Sequence, residues 1–164
     1  MAMLEITGLD AYYGRAHILQ GLSFSMNRGE VLALMGRNGA GKSTTMKAVM
    51  GLVPPAGGSV SFEGKPVQGR EPFEIARLGI GYVPEDRRVF SELTVTENLT
   101  VAQRPPRPDA PYWTPERLFA LFPNLGRMRD RPGGAMSGGE QQMLAIARAL
   151  RRTPRPTPPV SPSE

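Results

Sequence analysis

One glycine-rich segment of the chain reads Gly36-Arg37-Asn38-Gly39-Ala40-Gly41-Lys42-Ser43, with the spacing G-x-x-x-x-G-K-[ST]. A loop that curls its backbone N–H groups around phosphate oxygens needs residues that tolerate positive φ and carry no obstructing side chain, which glycines provide. In this spacing the lysine reaches the β- and γ-phosphates, and the serine hydroxyl reaches Mg²⁺. The segment therefore predicts a phosphate-binding loop, with Lys42 as a catalytic residue, Ser43 as a metal ligand and Thr44 at the α-phosphate.

The residues on either side of the loop have the strand–loop–helix order of a phosphate site. Before the loop, residues 31–35 are continuously apolar, which is typical of a strand buried on both faces of a parallel sheet. After the loop, Met46, Val49 and Met50 recur at helical spacing up to Gly51. This order predicts an α/β fold, but the loop alone leaves open a GTPase, a small-molecule kinase and a transport ATPase.

Composition and charge exclude several classes of protein. The 164 residues predict one domain, and no apolar run approaches the roughly twenty residues of a transmembrane helix. The absence of cysteine excludes a disulfide scaffold and a thiolate metal site, and the single histidine, His17, argues against imidazole catalysis. The first residues lack a secretory signal, which favours the cytoplasm. The net charge of +5 is interspersed with acidic residues, so we expect no nucleic-acid partner.

The remaining segments predict a mixture of strands and helices. Alternating apolar residues predict half-exposed, antiparallel strands at residues 4–7, 22–26 and 59–63, and another strand-like run covers residues 80–84. Helices are predicted at 72–78, 98–102, 115–122 and 138–150. Thr94 and Glu97 have the spacing of a capping box for the second of these helices, and the proline-rich residues 104–108 mark the clearest internal break.

A second glycine-rich helix start reads Ser137-Gly138-Gly139-Glu140-Gln141-Gln142. Ser137 and Glu140 have the spacing of a capping box, and the two glycines leave N–H groups uncovered at the positive end of the helix. Such a helix start can bind an anion, although a plain capped helix is an alternative at this point.

Together with the phosphate loop, this second segment resembles the signature sequence of ATP-binding cassette (ABC) ATPases. The resemblance implies a P-loop NTPase with an N-terminal antiparallel β subdomain and a helical subdomain over about residues 92–135. It also implies that ATP and Mg²⁺ are the cofactors and that two cassettes, identical or different, pair head to tail. Ser137, Gly138 and Gly139 would then contact the γ-phosphate of ATP held by the second cassette.

Two further positions match landmarks of the same family. Tyr13 matches the aromatic residue that stacks on adenine, with Tyr12 as the neighbouring candidate. Glu85, in Tyr82-Val83-Pro84-Glu85, stands where the family has a glutamine that senses Mg²⁺ and the attacking water. A carboxylate can also bind the metal ion, so the resemblance implies a catalytic and metal-binding role for Glu85.

The subfamily is also indicated by the sequence. Residues 83–90, 93–99 and 136–150 resemble the ATP-binding subunit of bacterial branched-chain amino acid importers. This resemblance implies transmembrane permease partners and a peripheral position on the inner face of the plasma membrane. The alternatives are a urea or amide importer subunit of the same subfamily, a soluble ABC ATPase that acts on nucleic acid, and a fragment with no function of its own.

The resemblance ends near Arg152. The family continues into a leucine-rich strand that ends in Asp-Glu, the Walker B element, and later into a switch histidine, whereas the last twelve residues here include Pro154, Pro156, Pro158, Pro159 and Pro162. We therefore expect a partial ABC ATPase domain over residues 1–152, an incomplete central sheet, and an aberrant disordered tail over residues 153–164. We also expect residues 31–35 to lack a ladder partner, and ATP hydrolysis to be roughly hundreds of times slower than in an intact relative.

Overall fold

The computed structural model describes residues 2–108 and 110–152, so the proline-rich tail predicted over 153–164 lies outside the described residues. Two units divide the described residues. The first comprises residues 2–80 and the second comprises residues 81–108 and 110–152. In this part of the chain, no helix has the length and apolar character needed to cross a membrane.

The first unit is built around a four-stranded antiparallel sheet with the order β2-β1-β3-β4. The strands are β1 (Leu4–Tyr13), β2 (Ala16–Met26), β3 (Gly57–Phe62) and β4 (Lys65–Pro66). Ile6 pairs with Phe24 on one side and with Val60 on the other, and Ile6 and Val60 are almost fully buried. The three antiparallel strands predicted from alternating residues are therefore confirmed.

Two helices complete the first unit. Helix α1 (Lys42–Val49) starts directly after the glycine-rich loop and buries Ala48 and Val49. Helix α2 (Pro72–Leu78) has a capping box between Glu71 and Glu74 and ends at Gly79, whose φ of 109° suits glycine. Both helices occupy the positions that the sequence predicts.

The strands predicted at residues 31–35 and 80–84 are wrong for this structure. Neither segment forms a strand, and Val31 and Met35 are 92% and 90% exposed. A strand is stabilised by the hydrogen bonds of its ladder, and no described strand pairs with either segment. Among the described strands, residues 31–35 have no ladder partner, and most of this segment is exposed.

The second unit is helical. Its helices are α3 (Val95–Val101), α4 (Pro115–Leu121), α5 (Pro123–Arg127) and α6 (Gly138–Arg151), with a 3₁₀ turn at Gly133–Ala135 before α6. The large apolar side chains that are fully buried at its centre are Val95, Leu99, Leu118, Leu125 and Leu144. Asn98 is fully buried and ties the start of α3 to the chain before it, because its amide bonds backbone groups of Phe90, Leu93 and Thr94. Helix α5, which has five residues and contains Gly126, is not predicted by the sequence.

Candidate functional site

The glycine-rich loop has the backbone conformation that its sequence predicts. Gly36, Gly39 and Gly41 have φ values of 155°, 85° and 86°, a region in which a side chain is strained. Gly41 also lies against strand β2, since an added Cβ would be 2.7 Å from Leu19 Cδ2 and 3.3 Å from the Ile18 carbonyl oxygen. Glycine at residue 41 is therefore required both by its φ and by the space available.

The start of α1 is suited to an anion. Gly41 caps the helix without a side-chain hydrogen bond, and the first turn carries no acidic residue. The first N–H groups of a helix have no acceptor within the helix, and they lie at the positive end of its dipole. Lys47 in the last turn adds a cation at the opposite, negative end. Phosphate oxygens at Lys42, Ser43 and Thr44 would receive both hydrogen bonds and a favourable field.

Lys42 folds back over the loop. Its Nζ donates hydrogen bonds to the carbonyl oxygens of Gly36, at 2.7 Å, and Arg37, at 2.8 Å. The loop is also closed by a hydrogen bond from the Ala40 N–H to the Arg37 carbonyl oxygen. An ammonium has three donors, so one N–H remains for a phosphate oxygen while the other two hold the loop.

A cavity of about 320 Å³ brings the loop and a tyrosine together. Its lining comprises Tyr13, Ile18, Asn38, Gly39, Gly41, Lys42, Ser43 and Thr44. Ala40 lines a neighbouring cavity of about 190 Å³, which Lys42 and Ile18 also line. The cavity therefore offers an aromatic face beside a phosphate-binding loop and a hydroxyl suited to Mg²⁺, which fits the adenine, phosphates and metal ion of Mg-ATP.

Tyr12 and Tyr13, the two candidates for adenine stacking, have different surroundings. Tyr13 lines the cavity and is 49% exposed. Tyr12 stacks on the His17 ring, with 4.2 Å between the ring centroids and 7° between the planes. Since neighbouring side chains of a strand point to opposite faces, only one of the two can face the loop. The geometry favours Tyr13 as the residue that would contact a base.

Ile18 is a lining residue that the sequence reasoning missed. It lies in β2, and the pairing of Tyr13 with Ala16 places Ile18 on the same face of the hairpin as Tyr13. An apolar residue in a strand carries no chemical signal by itself. A hairpin predicted at Gly14, combined with strand alternation, would have identified it.

The predicted capping box at the start of α6 is present in the second unit. Ser137 Oγ accepts a hydrogen bond from the Glu140 N–H at 3.4 Å, and Glu140 Oε2 accepts one from the Ser137 N–H at 2.7 Å. Hydrogen bonds to the Glu140 carboxylate from the backbone N–H and the side chain of Ser137, together with the charge of Arg131, hold the pKa of Glu140 below its ordinary value. Gly139, in the first turn of α6, faces open space, because a Cβ added there would meet no atom within 4 Å.

Arg87 lies against Gly138 and was not identified from the sequence. A Cβ added at Gly138 would be 3.1 Å from both terminal nitrogens of the Arg87 guanidinium. The backbone at Arg87 and Arg88 has φ values of 61° and 49°, so two successive residues adopt the left-handed conformation. The absence of a side chain at Gly138 thus leaves room for the Arg87 guanidinium beside the first turn of α6.

Glu85 lies in the exposed turn that leads to Arg87. Its Oε2 accepts a hydrogen bond from the Tyr82 hydroxyl at 3.5 Å. Next to it, Asp86 forms a salt bridge of 2.8 Å with Arg88, and the Arg88 carbonyl oxygen accepts a hydrogen bond from Arg148 of α6. The second unit contains Glu85 and the helix start at Ser137, Gly138 and Gly139, whereas the first unit contains Tyr13 and the glycine-rich loop. The metal-binding and catalytic roles of Glu85 stay predictions.

Comparison with known proteins identifies one family. A family model described as "ABC transporter" matches residues 19–156. The chain is 41% identical over 153 residues to the high-affinity branched-chain amino acid transport ATP-binding protein BraG of Pseudomonas aeruginosa, covering 93% of this chain and 66% of BraG. It is 36% identical to the probable branched-chain amino acid transport ATP-binding protein LivF of Archaeoglobus fulgidus, covering 92% of this chain and 64% of that protein.

Other relatives have different transport roles. The lipopolysaccharide export system ATP-binding protein LptB of Haemophilus influenzae is 34% identical, covering 94% of this chain and 65% of LptB.

Among solved structures, an ATP-binding subunit of an ABC transporter matches with a TM-score of 0.77 and 32% identity, over 93% of this chain and 63% of that chain. The ADP conformation of the cassette MJ1267 matches with a TM-score of 0.73 and 30% identity, over 94% and 66%. The chain thus spans slightly less than two thirds of the length of these curated relatives.

Proposed function

The chain belongs to the ABC transporter family of ATP-binding domains, and from this premise we propose that it is the ATP-binding subunit of an importer of branched-chain amino acids. The observation that carries ATP binding is the cavity shared by Tyr13 and the loop over residues 38–44. Adenine would stack on Tyr13, the phosphates would lie on the N–H groups at the start of α1 and on Lys42, and Ser43 would hold Mg²⁺.

The proposed substrate class rests on relatives. BraG and LivF, at 41% and 36% identity, are both named for branched-chain amino acid transport. A second candidate, lipopolysaccharide export, is favoured by LptB at 34% identity. The urea or amide importer remains the alternative within the importer subfamily.

The proposed partners follow from the same family premise. A second cassette, either a copy of this chain or a related subunit, would hold an ATP whose γ-phosphate faces Ser137, Gly138 and Gly139. Transmembrane permease subunits would bind the pair at the cytoplasmic face of the plasma membrane. We expect no nucleic-acid partner, because basic and acidic residues are interspersed along the chain.

An uptake assay tests the proposed substrate. Deletion of the gene in its host should lower the initial uptake of labelled leucine, and a copy that carries Lys42→Ala should not restore it. Uptake of labelled urea in the same cells serves as the matched comparison. Unchanged leucine uptake with a defect in urea uptake, or with lipopolysaccharide retained at the inner membrane, would contradict the amino acid assignment.

Hydrolysis by these 164 residues alone is a separate proposal. The resemblance assigns the water-polarising glutamate to a Walker B strand, and no leucine-rich strand ending in Asp-Glu occurs in this sequence. We propose that a polypeptide made of these residues alone binds ATP but turns it over roughly hundreds of times more slowly than an intact relative. Phosphate release measured beside an intact relative tests this, and comparable turnover would contradict it.

A further inference from the structure

The tip of the β1–β2 hairpin carries Tyr13. Tyr13 is the last residue of β1 and pairs with Ala16, the first residue of β2, across a two-residue loop in which Gly14 has a φ of 57°. Tyr12 and Tyr13 are both about half exposed, so burial in the core fixes neither ring. The position of Tyr13 therefore depends on what holds the two strands together at this tip.

On the face of the hairpin opposite Tyr13, an aromatic pair joins the two strands. Tyr12 and His17 are direct cross-strand partners, and their rings stack in parallel at a centroid separation of 4.2 Å. Cross-strand aromatic pairs stabilise an antiparallel pair of strands beyond the contribution of the backbone ladder. The stack is separated from the two-residue loop only by the Tyr13–Ala16 pair, and the register of β1 shifts between Ala11 and Tyr12.

Asp10 holds the His17 ring from the side. His17 Nε2 lies 2.7 Å from Asp10 Oδ1, and the same oxygen accepts a hydrogen bond from the Gly21 N–H at 3.1 Å. The bond from His17 contributes most to holding the pKa of Asp10 below its ordinary value, so the carboxylate is ionised and His17 Nε2–H is the donor. Asp10 also pairs with Gly57 of β3, so the ring is connected to the third strand of the sheet.

We propose that His17, stacked on Tyr12 and held by Asp10, positions Tyr13 against the adenine base and is therefore a positioning residue for ATP binding. Its ring fixes the pairing of β1 with β2 at the hairpin tip, and that pairing turns Tyr13 and Ile18 together toward the cavity. Loss of the stack would let Tyr13 at the tip move, whereas the hydrogen bonds from Lys42 and Ala40 that hold the glycine-rich loop involve no residue of the tip. This inference rests on the proposed ATP site.

The test separates base binding from phosphate binding. Affinities for Mg-ATP and for Mg-tripolyphosphate, which has no base, are measured by calorimetry on the 164-residue chain and on the variants Tyr13→Ala, His17→Ala and His17→Phe. Tyr13→Ala removes the proposed base contact itself, and His17→Phe retains a ring that can stack while losing the bond to Asp10. Thermal melting followed by circular dichroism compares the folding of all four proteins.

We expect His17→Ala to weaken ATP binding about three- to tenfold, the range for loss of an aromatic pair, and to leave tripolyphosphate binding unchanged. His17→Phe should retain ATP affinity to within about twofold, because the stack remains. Equal losses for ATP and tripolyphosphate in His17→Ala would make His17 a general structural residue and overturn the inference, as would an unchanged ATP affinity in that variant. An ATP affinity in His17→Phe as low as in His17→Ala would also overturn it.

The same experiment distinguishes failure of the proposed function. If the unmodified chain binds neither ligand, or if Tyr13→Ala leaves ATP affinity unchanged, the proposed ATP site is wrong and the inference fails with it. If Tyr13→Ala lowers ATP affinity while His17→Ala does not, the site stands and only the role of His17 is rejected.

Discussion

Lys42 makes two hydrogen bonds to the loop and is placed to make a third to a phosphate. Its Nζ donates to the carbonyl oxygens of Gly36 and Arg37, so an ammonium with three donors has one more for a phosphate oxygen. We expect Lys42→Ala to weaken ATP binding about tenfold or more, since a charge-assisted hydrogen bond and a cation are both lost. Calorimetric titration measures this, with Lys65→Ala, on the exposed strand β4, as the matched control. Equal affinities for the two variants would contradict the assignment of Lys42.

Gly41 and Gly39 offer a matched pair for separating backbone strain from steric contact. Both have φ near 85°, so alanine is strained at either position, but an added Cβ meets Leu19 and the Ile18 carbonyl only at Gly41. We expect Gly41→Ala to lower the free energy of unfolding by about 1 kcal/mol more than Gly39→Ala does. Urea denaturation of both variants measures the difference. Equal losses would mean that φ alone requires glycine at residue 41.

The sequence predicted the residues of the loop but not all of their surroundings. The positions of Gly36, Lys42 and Ser43 follow from a motif whose spacing is set by phosphate geometry, so they could be predicted before any fold was known. The family resemblance favoured Tyr13 over Tyr12, but the residues alone could not decide between them, because the choice depends on which face of β1 meets the loop. Ile18 and Arg87 were missed for the same reason: their roles depend on contacts between segments distant from the motif.

Helix α6 begins with a capping box formed by Ser137 and Glu140. Ser137 Oγ satisfies one N–H of the first turn, and alanine would leave that N–H without a side-chain acceptor. We expect Ser137→Ala to lower the free energy of unfolding by about 1 kcal/mol. Denaturation followed by the fluorescence of Trp113, the single tryptophan, reports on the unit that contains α6. A Ser137→Thr variant, which keeps the hydroxyl, should retain stability, and a loss equal to that of alanine would reject capping as the cause.

The capping carboxylates also predict how stability depends on pH. Hydrogen bonds from Ser137 and Thr94 hold the pKa values of Glu140 and Glu97, respectively, below the ordinary glutamate value. Because the folded-state pKa is the lower one, the stabilisation is present above the unfolded-state value of 4.5 and is lost as pH falls through the folded-state pKa. The double variant Glu97→Gln/Glu140→Gln should therefore show a shallower loss of stability below pH 4.5 than the unmodified chain. Parallel acid profiles for the two proteins would contradict this.

Helices and strands differed in how well the sequence predicted them. Helices α2, α3, α4 and α6 carry caps or an N-terminal proline within a few residues, so their local sequence contains most of the signal. The strands expected at residues 31–35 and 80–84 are absent from the structure, because a strand is stabilised by partner strands that often lie far along the chain. An apolar segment is suited to a buried strand, but its own sequence does not identify the strand with which it would pair.

At the scale of the whole chain, two motifs about a hundred residues apart identify the family. The loop over residues 36–43 lies in the first unit and the segment over residues 137–142 in the second, and the fold of both units is that of ABC cassettes. The family does not determine the transported substrate, since relatives named for branched-chain amino acid transport, at 41% and 36% identity, and for lipopolysaccharide export, at 34%, all match this chain. The sequence and the structure therefore identify the family but not the transported substrate.

Photolabelling with 8-azido-ATP tests most directly whether Tyr13 and the glycine-rich loop form one ATP site. The azide on the base labels side chains next to adenine, and mass spectrometry of the digested chain identifies them. We expect the labelled peptide to contain Tyr13, and excess unlabelled ATP to prevent the labelling. Labelling that ATP does not prevent, or that falls on Tyr82 or Tyr112 in the second unit instead, would contradict the site described here.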